Sequence, residues 1–313
     1  DMNGRFIGAW TRRHYRDQEK SLPVLNAHAE LDAEMLPRER QHEVLRTDLY
    51  HGGMLVARSA TLNPALLYKG LLDRCIASNA VRLCGGTKVK SVERSAGGWT
   101  LKTSRGRIEA DAVIVGTNGY IDPAVQTLRR KIIPVFSNII VTEELPEGLP
   151  EKLFPTGRYV NDTLRIRSYY RLTPDGRRVL FGGRGRFGAG TYAQFARSLH
   201  DLMLARLPDL EGTKIAYAWS GRIAFTFDSI PHVGQQDGLY YALGCNGSGV
   251  SMMNYLGDYL GKRVAGDEAT SSFERPLAGN PLYTGDPRFL PAIGRYFQFR
   301  DRLDRRRDAA GRG

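Results

Sequence analysis

The stretch Gly238-Leu-Tyr-Tyr-Ala-Leu-Gly-Cys-Asn-Gly-Ser-Gly249 decides our interpretation of the fold. An apolar strand runs into a glycine-rich turn at residues 244–249, and apolar residues then recur at helical spacing as far as Val264. Glycines let a ligand approach the backbone closely, and the first turn of a helix offers free N–H groups at its positive end. The pattern therefore predicts either a site for a phosphate or another electron-rich group, or a tight turn packed for space.

A second apolar run lies earlier in the chain, at Ala112-Val-Ile-Val-Gly116, and it ends abruptly in Thr117-Asn-Gly-Tyr120. A continuous apolar run of this kind is typical of a strand buried on both faces in a parallel sheet. The run that follows Gly238 has the same character. Together the two runs predict an α/β fold class with a parallel sheet.

Helix and strand patterns alternate in the rest of the chain. Asn63 before Pro64 predicts a helix start, with Asn63 as N-cap, and we expect Asn79 and Gly266 to cap the C-terminal ends of two helices. The other helices are predicted within residues 12–47, the second of them after Pro37, and at 191–207; strands are predicted at 50–56, 81–83, 88–94, 99–103, 107–110, 132–142, 164–171, 178–183 and 214–219.

Composition excludes several classes of protein. The chain has 313 residues, of which 42% are hydrophobic and 25% charged, so collagen-like, disordered and disulfide-scaffold classes do not apply. No apolar run approaches the roughly 18–20 residues of a membrane-spanning helix. The three cysteines include no CxxC pair, and we expect a reducing, cytoplasmic location.

The net charge of +12 comes mostly from arginines scattered along the chain, so we expect no nucleic-acid partner. The one dense cluster of arginines follows Arg300 and is interspersed with aspartates. We expect this tail to be a solvated, frayed terminus, and an anion-binding tail is the alternative.

Three local patterns carry weaker signals. Gly183-Arg-Gly-Arg-Phe-Gly188 matches GxGxxG, but no ribose-binding acid follows, and a glycine-rich turn explains it better than a dinucleotide site. Cys245 is either a thiolate stabilised by a helix N-terminus or, as we favour, a small residue that faces a cofactor. Arg222 could hold a carboxylate or form a surface salt bridge. Histidine spacing predicts no metal site, and no nucleophile elbow is present.

Several segments together resemble the FAD-dependent amine and amino-acid oxidoreductases of the D-amino-acid oxidase, glycine oxidase and sarcosine oxidase superfamily, and most of all its gamma-glutamylputrescine oxidase-like branch. The resemblance covers roughly residues 1–300. The segments that carry it are Tyr50-His-Gly-Gly-Met54, Leu62-Asn-Pro-Ala-Leu66, Ala112-Val-Ile-Val-Gly-Thr-Asn-Gly-Tyr120, Leu128-Arg-Arg-Lys-Ile-Ile-Pro134, Trp219-Ser-Gly-Arg-Ile-Ala-Phe-Thr-Phe-Asp228, Pro231-His-Val-Gly234 and the stretch from Gly238 to Gly249.

The resemblance implies a Rossmann-like FAD/NAD(P)-binding body interleaved with a substrate domain of α+β type built on an antiparallel sheet. We expect the substrate domain at residues 1–51 and 123–227, the FAD-binding body at 52–122 and 228–266, and a C-terminal extension with the basic tail at 267–313. Relatives begin with a strand, GxGxxG and helix that bind the FAD pyrophosphate. Because the first matching segment lies well inside the family pattern, we expect an N-terminally truncated chain.

The resemblance also implies the site residues. Val89 would contact the adenine end of FAD through its backbone, and Gly116, Thr117 and Asn118 would line the pocket of the adenosine and pyrophosphate. The turn that approaches the isoalloxazine ring would comprise Gly244, Cys245, Asn246, Gly247, Ser248, Gly249 and Val250. On the substrate side, Arg167, Tyr169 and Arg184 would line the sheet above the flavin, and Arg222 is the expected contact to flavin or substrate.

Two departures from the family pattern bear on the cofactor. Many relatives carry Tyr-Asn-Gly-His-Gly where this chain has Cys245-Asn-Gly-Ser-Gly249, and the segment from Trp219 to Asp228 contains no cysteine. Ser248 therefore cannot form the histidine link, and the segment from Trp219 to Asp228 cannot form a thioether link, so we expect non-covalent FAD.

The implied function is oxidation of the C–N bond of an amine or amino acid by hydride transfer to flavin N5. The expected partners are a small-molecule substrate and oxygen or another electron acceptor, with a homo-oligomer allowed. The alternative is a non-catalytic flavoprotein remnant or assembly subunit.

Overall fold

The computed structural model describes residues 1–184 and 191–311. In chain order, the elements are β1 (Arg5–Gly8), α1 (Arg12–Ala29), β2 (Ala33–Leu36), β3 (Gly53–Val56), α2 (Pro64–Ala77), β4 (Val89–Ser95), β5 (Gly98–Thr103), β6 (Gly106–Ala110), β7 (Ile114–Val115), α3 (Gln126–Arg129), β8 (Ile132–Thr142), α4 (Leu149–Leu153), β9 (Tyr159–Asp162), β10 (Tyr169–Leu172), β11 (Val179–Gly183), α5 (Tyr192–Leu204), β12 (Ile215–Thr226), β13 (His232–Gln236), β14 (Leu239–Leu243), α6 (Gly249–Ala265) and α7 (Leu290–Ala309). Short 3-10 helices lie at Arg38–Glu43, Asn118–Tyr120, Pro123–Val125 and Pro208–Leu210.

The chain divides into two compact units, each assembled from separate segments. Unit 1 contains Asp1–Asn63, Ser137–Gly221 and Arg288–Gly313, and unit 2 contains Pro64–Phe136 and Arg222–Pro287. The expected domain borders were at 51/52, 122/123, 227/228 and 266/267, whereas the two units divide at 63/64, 136/137, 221/222 and 287/288. The roles assigned to the domains remain predictions.

Unit 1 is organised by an eight-stranded sheet in the order β12-β8-β11-β10-β9-β1-β3-β2. Most of its pairs are antiparallel, as expected, but β1 runs parallel to β9. Helix α5 begins with a capping box formed by Thr191 and Gln194, and it buries Phe195, Leu199 and Met203. These side chains join a core that contains the aromatic residues of the sheet.

Unit 2 contains two three-stranded sheets, β13-β14-β7 and the antiparallel meander β4-β5-β6. In the first, β14 pairs with β7 in parallel and with β13 antiparallel. Helix α6 contacts this sheet through the buried Leu256, Tyr259 and Leu260. Parallel pairing together with the packed helix confirms the mixed α/β class.

Several predicted elements are confirmed. Helix α2 begins at Pro64, and strand β8 has the predicted bounds. Helix α6 ends at Ala265, and the predicted Gly266 is its C-cap in the left-handed conformation. The predicted strand at 50–56 is confirmed over Gly53–Val56, and the predicted helix at 191–207 is confirmed over Tyr192–Leu204.

Other predictions about elements were wrong. Residues 81–83 form no strand, since Val81 and Leu83 are exposed and lie beside no other strand. The run at 112–116 gives only the two-residue β7, and Ile114 is 49% exposed, so the strand is buried on one face rather than two. Residues 33–36 form a strand within the segment predicted as helical.

The arginine-rich tail is not a frayed terminus. Up to Ala309 it belongs to α7, where Asp301 and Asp308 are buried. The interspersed aspartates suggested solvation, but each finds a partner far away in sequence on unit 1. Such partners are invisible in a local pattern.

Candidate cofactor and substrate site

The glycine-rich turn after β14 requires its glycines. Gly244 and Gly247 have φ values of 77° and 95°, which favour glycine. A Cβ on Gly244 would also lie 2.3 Å from the Thr226 methyl carbon. At Gly247 the same test finds nothing within 4 Å, so that side of the turn faces open space. Packing against Thr226 therefore explains the glycine at 244. The space beside Gly247 is open, so a ligand can approach the backbone closely there.

The turn leads into the N-terminus of α6 without a side-chain cap. Ser248 is the N-cap residue, and its side chain makes no capping hydrogen bond. The first turn also contains no acidic residue. Helix N-terminal N–H groups attract anions and electron-rich atoms, so this end of α6 suits such a group.

Asn118 joins the two predicted segments of the cofactor site. Its side-chain oxygen accepts the N–H of Gly244 at 3.1 Å, and its side-chain nitrogen lies 3.2 Å from the Cys245 sulfur. Because β7 and β14 are parallel, their carboxyl ends lie at one edge of the sheet, where Gly116 and Thr117 are exposed. Ligands of open α/β sheets bind at such edges. We use the name Asn118 clasp for the two contacts of the Asn118 side chain, with the Gly244 N–H and with the Cys245 sulfur.

Asn246 fixes the turn from its other side. Its side-chain oxygen accepts the N–H of Thr226 at 3.1 Å, and its side-chain nitrogen donates to the Gly244 carbonyl at 2.7 Å. Ser248 N–H donates to the Cys245 carbonyl at 2.8 Å. The turn is therefore held by two asparagine side chains, and both asparagines adopt a positive φ. Asparagine is among the residues that tolerate this conformation best.

Cys245 lies inside unit 2. Its side chain is buried, and the sulfur has the Asn118 amide and the Ala224 carbonyl as neighbours. Burial fits a small residue at this position, and the contact of Cys245 with a cofactor remains a prediction. The thiolate alternative gains no support from the contacts of this side chain.

Val89 lies at the start of β4, half-buried, where the pairing with β5 contains a register shift between Val89 and Ser91. The neighbouring Lys88 ammonium lies 3.6 Å from Asp122, which follows the Asn118 segment. The beginning of β4 therefore lies near the predicted adenosine pocket. Contact of Val89 with a cofactor remains a prediction.

Tyr169 and the two nearby arginines form the candidate substrate group of unit 1. The Tyr169 hydroxyl lies 2.7 Å from that of Ser137, and burial raises the pKa of Tyr169 against the opposing effects of this hydrogen bond and of Arg184. Burial lowers the pKa of Arg184, and the charge of Arg167 lowers it further. Tyr169 pairs with Gly182, and a Cβ on Gly183 would lie 3.4 Å from the Arg167 carbonyl oxygen, so the three predicted residues lie in one neighbourhood of unit 1.

A glycine makes room for the Tyr169 ring. Tyr169 pairs with Gly182 across β10 and β11, and a Cβ on Gly182 would lie 2.0 Å from the ring. The tyrosine therefore lies flat over the glycine backbone. The remainder of the GxGxxG match, residues 185–188, lies outside the described residues.

Arg222 belongs to unit 2 and lies between two aromatic rings. Its guanidinium carbon is 5.1 Å from the ring centre of Phe136 and 5.9 Å from that of Tyr120, whose hydroxyl accepts the Arg222 backbone N–H at 3.0 Å. In residues 1–184 and 191–311 no ion pair includes Arg222. The salt-bridge alternative therefore has no support, and the guanidinium can meet a carboxylate or another anionic group.

The sequence analysis missed a buried ion pair in unit 1. Arg206 donates to the Asp162 carboxylate at 2.7 and 3.1 Å, and the other oxygen of Asp162 accepts the backbone N–H groups of Leu164 and Ser168. This pair fixes the segment that leads to Tyr169. The only signal in the sequence was a charged residue at the end of each of two apolar segments, which is too weak to identify partners 44 residues apart.

None of the helices within the described ranges is both long enough and apolar enough to cross a membrane.

Comparisons with known proteins agree with the resemblance. The family model described as DAO, FAD dependent oxidoreductase, matches residues 2–263. The chain is 31% identical over 251 residues to a "Probable oxidoreductase OrdL" of Haemophilus influenzae, covering 79% of this chain and 56% of that protein. It is 30% identical over 283 residues to gamma-glutamylputrescine oxidoreductase of Escherichia coli, covering 87% and 63%. The chain thus spans less than two thirds of the length of these curated relatives.

Solved structures share the fold. Glycine oxidase from Geobacillus kaustophilus superimposes with a TM-score of 0.73 at 19% identity, covering 89% of this chain and 74% of that one. L-proline dehydrogenase from P. horikoshii superimposes with a TM-score of 0.69 at 18% identity, covering 95% and 78%.

Proposed function

The chain belongs to the DAO family of FAD-dependent oxidoreductases, and we propose that it serves in oxidising the C–N bond of an amine or amino acid with non-covalently bound FAD. The observation that carries this proposal is the Asn118 clasp. It brings two segments predicted to contact one cofactor to the carboxyl edge of parallel strands.

The residues at this edge fit a flavin. Cβ atoms added at Gly116 and Gly247 would meet no atom within 4 Å, and the N-terminus of α6 has neither a side-chain cap nor an acid in its first turn. When bound, FAD supplies the acceptor of the hydride that leaves the substrate carbon, and oxygen or another acceptor takes the electrons onward. The substrate nitrogen loses a proton, and water hydrolyses the resulting imine.

In this proposal the N-terminus of α6 would favour the negative charge that develops on a bound flavin as it is reduced. The helix dipole and its free N–H groups act there without reorganising, which is how a preorganised site stabilises developing charge. Asn118 and Asn246 act as positioning residues, because they hold the turn that presents these N–H groups.

We propose that Arg222, in unit 2, is the residue that binds a carboxylate of the substrate. Arg222 carries a permanent positive charge and can bind a carboxylate with two parallel hydrogen bonds. Flanking rings restrict its side chain and favour the cation. In unit 1, burial raises the pKa of Tyr169, so its hydroxyl stays protonated at neutral pH and can donate a hydrogen bond. The predicted contact of Tyr169 with a substrate is a separate proposal.

The substrate class follows from chemistry and from relatives. A carboxylate-binding arginine suits amino acids and their derivatives, and one similar protein is named for gamma-glutamylputrescine. We propose an amine or amino acid with a carboxylate at a distance that Arg222 can reach.

The test has two stages, applied to the purified chain. FAD is first titrated against the protein, with quenching of flavin fluorescence as the signal. The complex is then mixed anaerobically with gamma-glutamylputrescine, putrescine, glycine and L-proline, and bleaching of the visible flavin absorbance is recorded. We expect saturable binding, and reduction by at least one compound.

Arg222→Ala tests the assigned role, and Arg130→Ala, a change at an exposed arginine of unit 2, is the matched control. We expect Arg222→Ala to slow reduction by a carboxylate-bearing substrate far more than by putrescine, and the control to change neither rate. FAD binding without reduction by any compound would favour the non-catalytic flavoprotein. No FAD binding by this chain would contradict the proposal.

A further inference from the structure

Helix α7 separates its charges onto two faces. Asp301, Asp304 and Asp308 follow each other at spacings of three and four residues, which places them on one face of a helix. Arg165 lies 2.8 Å from Asp301 and 2.7 Å from Asp304, and His51 lies 3.0 Å from Asp308. The aspartates of the tail are therefore satisfied by groups of unit 1.

The opposite face carries a positively charged stripe. Arg295, Phe299, Arg302 and Arg306 occur at spacings of four, three and four residues, and all four are exposed. Phe299 is 59% exposed, and Tyr296, which flanks the stripe, is 52% exposed. Among the described residues, the ion pairs of α7 run through its aspartates, and none includes the three arginines of the stripe. The stripe extends over about 16 Å of helix.

We propose that this α7 stripe contacts the surface of an anionic lipid bilayer. Arginine guanidinium groups bind lipid phosphates, and an aromatic side chain between them enters the boundary between headgroups and acyl chains. A lipid surface needs no shape complementarity, so a helix that is attached to the protein along its opposite face can meet it side-on. The contact is peripheral and does not depend on the proposed catalytic activity.

The aromatic side chains favour lipid over nucleic acid. A phosphodiester backbone would use the arginines but would leave Phe299 and Tyr296 in water. At a bilayer, the apolar ring adds to the attraction of the charges. Aspartates on the same face as the arginines would repel the phosphates of a lipid or of a nucleic acid. On α7 the aspartates lie on the opposite face, so the stripe attracts such phosphates.

The expected strength is modest and depends on salt. Each basic residue near an anionic bilayer contributes about fivefold in affinity, so three arginines contribute on the order of 100-fold. Salt at about 0.15 M shortens the range of the attraction to about 8 Å, so binding should weaken markedly between low and moderate salt.

The experiment is co-sedimentation of the full chain with vesicles of phosphatidylglycerol and phosphatidylcholine in equal parts, with pure phosphatidylcholine vesicles for comparison. We expect binding to the anionic vesicles only. The triple variant Arg295→Ala, Arg302→Ala, Arg306→Ala should lose on the order of 100-fold in affinity. The matched control Arg74→Ala, Arg82→Ala, Arg197→Ala removes the same charge from exposed positions elsewhere, and we expect it to lose less than about threefold.

A second variant, Phe299→Ser, keeps every charge and should weaken vesicle binding by about fivefold or more, because a buried ring contributes more than that factor. Far-ultraviolet circular dichroism verifies that both α7 variants are folded. Equal loss in the triple variant and its control would mean attraction by net charge alone, and would overturn the proposal. So would absence of vesicle binding, an unchanged affinity of Phe299→Ser, or binding of duplex DNA by the stripe without binding of vesicles.

Discussion

At the scale of single residues, the side chain of Asn118 connects two segments of unit 2 that are distant in sequence. One amide group accepts from Gly244 and donates to Cys245, while the backbone of Asn118 adopts a φ of 44°. A residue in this position must tolerate a positive φ and offer both a donor and an acceptor. Asparagine meets these demands, glycine meets only the first, and aspartate lacks the donor.

We therefore expect Asn118→Gly to weaken FAD binding by about tenfold, which corresponds to one or two net hydrogen bonds at about 1 kcal/mol each. Asn118→Asp should lose less, since it retains the acceptor for the Gly244 N–H. Fluorescence titration with FAD measures both. The control is Asn79→Gly, at another asparagine of positive φ that is exposed after α2. An equal loss in Asn79→Gly would contradict the role of the clasp.

Gly182 permits a second test at this scale. We expect Gly182→Ala to displace the Tyr169 ring, break its hydrogen bond to Ser137 and lower the free energy of unfolding by about 1–3 kcal/mol. In the adjacent Gly183→Ala the new Cβ would lie 3.4 Å from its nearest neighbour, so that variant should lose less than about 1 kcal/mol. Urea denaturation of both variants gives the comparison, and similar values for the two would refute it.

At the scale of elements, the Asp162–Arg206 pair connects the end of β9 to the residue that follows α5 by two positions. Both side chains are buried, and Arg206 also packs over the Trp10 ring at 4.9 Å. Burial tends to raise the pKa of Asp162, and the charge and hydrogen bond of Arg206 oppose that effect. Removing one partner of such a pair leaves an uncompensated charge inside the protein.

Asp162→Asn is accordingly expected to lower the free energy of unfolding by about 3–5 kcal/mol. Asp175→Asn, at an exposed turn between β10 and β11, provides the control and should change it by less than about 1 kcal/mol. Chemical denaturation monitored by circular dichroism measures both. A loss below about 1 kcal/mol in Asp162→Asn would show that the pair is dispensable for the stability of unit 1.

Some elements could be predicted from the sequence because their causes are local. Pro64 marks the start of α2 as predicted, and the glycine turn precedes the start of α6. Asn118 was assigned to the site for a different reason than the structure gives, since its amide holds the turn itself. Its partner lies 126 residues away, and no periodic pattern identifies contacts at such separations.

Other contacts of the fold could not be predicted from the sequence, because their partners are also distant along the chain. The Ser137–Tyr169 hydrogen bond and the attachment of α7 depend on strands and helices meeting in space. In sequence, the alternation of arginine and aspartate in α7 is typical of a solvated segment. Only the positions of Arg165 and His51 show which face of that helix is turned inward.

At the scale of the whole molecule, stability should depend on pH through two histidines of unit 1. Burial lowers the pKa of His14, and Arg165 lowers it further, whereas Asp304, Asp17 and Asp301 raise it. The pKa of His51 is also lowered, by burial and by Arg38 and Arg12, against the effect of Asp308. Both side chains therefore resist protonation more in the folded protein than in the unfolded chain.

The direction of this pH dependence follows from the numbers of protons that the folded and the unfolded chain bind. The two histidines have a pKa of 6.5 in the unfolded chain and a lower pKa in the folded protein, so the unfolded chain binds more protons as the pH falls. The free energy of unfolding therefore falls as the pH falls from about 7 towards 5. Urea denaturation at a series of pH values measures this slope. We expect the double variant His14→Gln, His51→Gln to have a shallower slope, and His28→Gln, at the exposed end of α1, to keep that of the parent. A slope unchanged in the double variant would contradict the assignment.

The parallel pairing of β7 with β14 also has a consequence for synthesis on the ribosome. Asn118 and Gly244 lie 126 residues apart, so β7 leaves the ribosome long before its partner strand exists. At about 5–20 residues per second, the interval lasts about 6–25 s. Throughout that time a short apolar strand has an open edge, which is a template for pairing with other chains. If synthesis pauses after β7 but before β14, the open edge of β7 is exposed for longer. We therefore expect such paused chains to depend most on a chaperone that covers this edge.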